Sequence, residues 1–156
     1  MKIHIPNSVW LGNIDPFLQG FDPRRPKQLE LTFNKKWMSI HPMVLSMIAA
    51  LGLKIEPSKI SCEKLEATSK HYLERMKLFD FLKIDSGITI IEHESAGRFI
   101  PLTQIKDSAS LSKFITDVTP LLHLEAKHAE PIRYIMSELI RNVIEHSMSK
   151  DGAIVS

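Results

Sequence analysis

Leu111, Phe114, Ile115, Val118, Leu121 and Leu122 recur at steps of three and four along the chain. That spacing lines up one face of an α-helix. Pro120 falls on the opposite side and predicts a kink or a stop, because proline lacks a backbone donor and clashes with the turn before it. A polar link, HLEAKHAE, follows, and then a second amphipathic stretch near residues 131–148. At about 100° per residue, Ile132, Ile135, Met136, Leu139, Ile140 and Val143 gather on one side of this stretch. Glu138, Arg141, Asn142 and Glu145 fall on the other. The two stretches predict a C-terminal helical hairpin.

The pattern upstream is different. QLELTF (residues 28–33) alternates apolar and polar positions, the period of a half-buried strand. A short strand is expected near residues 3–5. In HPMVLSMIAALG almost every position is apolar, which predicts a helix buried on most sides. Pro42 suits its first turn, and Gly52 suits the left-handed position just past its end. LKIEPSKIS reads as a strand or an extended connection, restricted by Pro57 to an edge or a bulge. A helix is expected over residues 64–79, with Leu65, Tyr72, Leu73, Met76 and Phe79 on one face. ITIIEHE (88–94) and FIPLTQI (99–105) read as strands, with Gly97 in the turn between them. The texture changes near residue 107. An α/β module of three to five strands is therefore expected over residues 1–106, and the hairpin over residues 107–156.

The totals narrow the function classes. The chain has 156 residues, 44% hydrophobic and 24% charged, a balance typical of a folded globular protein. The formal net charge is +2, too small an excess to point to nucleic acid. The short basic cluster RRPK (residues 24–27) reads as a solvated loop. The longest apolar run, MVLSMIAALGL, is about half the ~20 residues that span a bilayer, and the N-terminus lacks a signal-peptide core. A soluble cytoplasmic protein is expected, with no membrane and no nucleic-acid partner. Cys62 is the single cysteine, so no intrachain disulfide forms. A nearby helix start would lower its pKa; the plainer reading is a packed, idle thiol. The seven histidines form no H-E-x-x-H pattern, and there is no G-x-S-x-G.

One stretch carries candidate chemistry. SELIRNVIEHS (residues 137–147) places Glu138, Asn142 and His146 four residues apart, twice. Each such step advances only about 40° around a helix, so the three form one stripe about 12 Å long. The stripe follows the border between the apolar and polar sides. Magnesium prefers hard oxygen ligands, and the Asn142 amide oxygen offers one without added charge. Glu138 can act as a base toward a water or hydroxyl. His146 or Arg141 can offset phosphate charge. The same spacing also suits the solvated side of any amphipathic helix.

ELIRNVIEHS resembles the N-box of the GHKL (histidine-kinase-like) ATPase superfamily, and most closely its anti-sigma-factor serine kinase branch, where the box reads roughly E-x-x-x-N-x-x-x-H. The resemblance implies that Asn142 is the magnesium ligand and belongs to the nucleotide site, that Glu138 is the catalytic carboxylate, and that His146 lies near the phosphates. Arg141 occupies a variable position and receives no role. The cofactors implied are ATP and Mg2+. IHPMVLSMIAALG and HYLERMKLFDFL resemble the STAS-like modules that some bacterial proteins place before such a domain, a small α/β sandwich used in protein–protein regulation. The later family motifs, D-x-G-x-G and the glycine-rich lid, do not occur in these residues. DGA (residues 151–153) looks like the turn before a strand that AIVS begins.

The expectation is thus a bacterial regulator, with this chain as its N-terminal part. On its own the chain would supply only the N-box wall. The alternative is a nucleotide-independent STAS-like interaction module. A regulatory protein partner is implied. A homo-oligomer through the hairpin is the other way to cover the apolar face of the last helix.

Overall fold

Alternation in LELTF builds the centre of the first sheet. The computed structural model describes residues 1–22, 24, 26–89 and 99–156. The fold is mixed α/β, and its contacts divide the chain into two units, Met1–Ile91 and Glu92–Ser156.

In the first unit, β1 (Lys2–Ile5), β3 (Leu29–Phe33) and β5 (Ile60–Cys62) form a parallel sheet in the order β1-β3-β5. Ile3, Ile5, Leu29, Leu31, Phe33 and Ile60 are buried, while Lys2, His4, Glu30 and Ser61 are exposed. The period-two alternation therefore sorts the two faces, as strand geometry requires. Parallel neighbours need crossover connections. Here these carry α1 (Asp15–Gly20) and α2 (Pro42–Gly52). A second parallel pair joins β2 (Ser8–Val9) to β4 (Ser39–Ile40).

Helix α2 starts as its sequence predicts, with Pro42 in the first turn and the His41 imidazole accepting from the Met43 N–H at 3.1 Å. Its end differs. Gly52 is the last helical residue, and its φ is not positive. A Cβ at that position would overlap Leu82 Cδ2, so the glycine serves close packing rather than a left-handed cap. The helix expected over residues 64–79 is shorter and broken. It forms α3 (Lys70–Arg75) and α4 (Leu78–Leu82), separated at Lys77, whose φ is 58°. Leu65, Leu73, Met76 and Phe79 are nonetheless buried. The 3.6-residue pattern marked the inward side chains, but a left-handed residue re-aims the chain between them. Ile88 and Thr89 are not in a strand, and the rest of that expected strand, with Gly97, lies outside the described residues.

In the second unit, β6 (Thr103–Ile105) pairs antiparallel with β7 (Ala153–Val155). Between them run α5 (Ser108–Val118) and α6 (Ala126–His146). The strand expected over residues 99–105 is confined to its last three, and its partner is the strand after the hairpin. Asp107 caps α5 by accepting from the Ser110 N–H at 2.7 Å. Those bonds hold its carboxyl below the usual carboxylate range. Helix α5 stops at Val118, and Pro120 sits in the 3-10 turn Thr119–Leu122. The core of this unit is Ile105, Leu111, Phe114, Ile115, Val118, Ile140 and Ala153, with Met136 and Ile144 packed against it. Among the described residues, no helix is long and apolar enough to cross a membrane.

Candidate functional site

Helix α6 carries the candidate residues. It runs for 21 residues, starts ahead of the expected residue 131 and holds Pro131 inside it. Its inward line is Met136, Ile140 and Ile144, again at four-residue steps. This differs from the sequence expectation of one broad apolar face. Ile135, Leu139 and Val143 are exposed. Helix α5 and the β6–β7 pair cover one narrow line, and these three side chains lie outside it.

Asn142 lies about 160° around the axis from Ile140. The stripe of Glu138, Asn142 and His146 therefore occupies the side of α6 away from this core, not the border of its buried face. Glu138 is half-buried, and Asn142 and His146 are exposed. Glu138 Oε1 lies 3.5 Å from Arg141 Nη1, the outer limit of a hydrogen bond. A pair so exposed contributes at most about 1 kcal/mol, so the carboxylate is free to turn toward another group. The side chains of Asn142 and His146 make no hydrogen bond among the described residues. The helix thus brings a carboxylate, a neutral amide oxygen and an imidazole into one open row. No cluster of three or more His, Cys, Asp or Glu that could hold a metal occurs among the described residues. Asn142 can supply one oxygen ligand, and a magnesium ion held there would keep waters or ligand oxygens in its other positions.

Cys62 lies on β5 rather than at a helix start. Burial, with a smaller contribution from the Glu63 charge, pushes its thiol up to about 11. The direction is opposite to the one a helix N-terminus would give.

A second polar row on α6 lies outside the sequence reading except for Arg141, which enters there only for offsetting phosphate charge. Arg133, Ser137 and Arg141 recur at four-residue steps and face α5 across a cleft of about 220 Å3. Their spacing is legible in the sequence, but the wall opposite them is not. Compared with protein-family models, curated proteins and solved structures, this chain matches none.

Proposed function

We propose that the second unit belongs to a bacterial regulator of the histidine-kinase-like ATPase type, similar to the anti-sigma-factor serine kinases. In this reading α6 is the N-box helix. The observation that carries the proposal is the open row of Glu138, Asn142 and His146 on the side of α6 away from its core. Asn142 offers its amide oxygen to the magnesium of an ATP complex. Glu138 orients or deprotonates the attacking group, and His146 stands toward the phosphates. Motifs for reading adenine and covering the phosphates do not occur in these 156 residues, so this chain alone provides one wall and binds weakly. Exposed Ile135, Leu139 and Val143 support a protein partner or a second copy at the hairpin, because contiguous apolar surface commonly marks an interface. The lone cysteine suits a cytoplasmic setting.

The second reading is a nucleotide-independent, STAS-like interaction module. It is favoured by Trp10, Leu11, Trp37 and Met43 of the first unit, all large and all exposed. Calorimetric titration of ATP with magnesium separates the two readings. Weak heat that disappears without magnesium and in Asn142→Ala is the expected result. No heat and no thermal shift at millimolar ATP would refute the pocket wall for this chain and leave the interaction module.

A further inference from the structure

We propose that the cleft between α5 and α6 is a phosphate-binding site. Two rows face each other across it. Ser108, Ser112 and Thr116 come from α5, and Arg133, Ser137 and Arg141 from α6. Each row advances by four residues, so each presents a single line of side chains. Leu111 and Ile115 complete the lining, and no carboxylate belongs to it.

The donors in the cleft are under-used. Arg133 Nη1 donates to Glu130 at 2.7 Å, but its Nε is shut off from solvent without an acceptor. Arg141 is held only by the 3.5 Å approach to Glu138. The hydroxyls of Ser112 and Thr116 donate to the carbonyls of Ser108 and Ser112, each at 2.9 Å. Those of Ser108 and Ser137 make no hydrogen bond among the described residues and can donate. A buried donor with no acceptor is rare in folded proteins and calls for a reason. An oxyanion in the cleft supplies one once the Arg133 side chain, which forms part of the lining, turns toward it.

The layout selects the anion. Arg133 and Arg141 stand eight residues apart, about 12 Å along the helix, with Ser137 midway. Guanidinium groups recognise planar pairs of oxygens. A carboxylate has two oxygens and one charge, which one arginine already satisfies. A phosphate monoester has three acceptor oxygens and nearly two charges, enough to draw both arginines inward over the Ser137 hydroxyl. Ser137, at the middle of this row, lies roughly 140° around the axis from Asn142, and Arg141 is the one member that touches the other row, through its 3.5 Å approach to Glu138. Inorganic phosphate and the phosphoryl group of a modified side chain share this chemistry.

The Nε–Hε resonances of Arg133 and Arg141 report on the cleft directly. They would be followed by NMR in the full chain, with inorganic phosphate, an O-phosphoserine peptide, acetate and chloride added at matched ionic strength. The expected result is a saturable shift with the two phosphate compounds only, and an affinity at least tenfold weaker in Arg141→Gln. Arg141 is exposed, so that variant retains the fold, and Arg141→Lys should recover only part of the loss. Tighter binding of the peptide assigns the source to a modified protein, and equal binding assigns it to free phosphate. Shifts that grow linearly, that match those with chloride, or that persist unchanged in Arg141→Gln would overturn the proposal.

Discussion

Ile140 and Leu139 are adjacent in sequence, and the apolar pattern places both on one face of the last helix. Their surroundings differ sharply. Ile140 is 8% exposed and Leu139 is 63% exposed. Ile140 belongs to a core of seven buried residues and is the most exposed of them. Ile140→Ala removes buried carbons and leaves a cavity, a change that costs roughly 2–5 kcal/mol. We expect about 3 kcal/mol, since the site lies at the edge of a small core that can partly collapse. Leu139→Ala removes mostly solvated surface and should stay within about 0.5 kcal/mol. The assay is urea denaturation followed by far-UV circular dichroism, with amide exchange measured along α6. Both tryptophans lie in the first unit, so tryptophan fluorescence tracks the other unit and serves as an internal control. Equal losses in the two variants, in dilute solution, would refute the assignment of Met136, Ile140 and Ile144 as the inward line.

Gly152→Ala should destabilise the second unit by more than about 1 kcal/mol, because an alanine there is incompatible with the native backbone. Its φ is +70°, and a Cβ would overlap the Ile105 carbonyl oxygen of the paired strand; wild-type thermal stability in the variant would contradict this. Cys62, with its thiol pushed up to about 11, should have a thiolate fraction of about a thousandth at pH 8. Its alkylation rate should therefore keep rising well beyond pH 8, toward about pH 11, and labelling at pH 8 as fast as a free thiol would contradict it. The sign for stability follows. The folded state holds this proton more tightly than the unfolded chain, so the contribution is present below about pH 9 and is lost as pH rises toward 11.

Local signals in the sequence determined a good deal. Alternation in LELTF marked a strand and its buried face, because the strand period is two whatever the neighbours are. Pro42 marked the start of α2, and Pro120 marked the region where α5 ends, since a missing backbone donor acts within one turn. The DGA stretch marked the turn into β7. The spacing of Glu138, Asn142 and His146 put them in one row once α6 was helical, because a helix fixes relative angles by itself.

Tertiary structure decided what those angles face. A helix period locates a broad apolar side, but only the packing partners choose which line of it is buried. Helix α5 and the β6–β7 pair took Met136, Ile140 and Ile144 and left Ile135, Leu139 and Val143 exposed. That choice turned the Glu138 row to the side away from the core and set Arg133, Ser137 and Arg141 opposite Ser108, Ser112 and Thr116. The same reason explains the pairing of β6 with β7 across the whole hairpin, and Gly52 against Leu82. Each depends on residues distant in the chain, and a periodic pattern carries no information about distant partners.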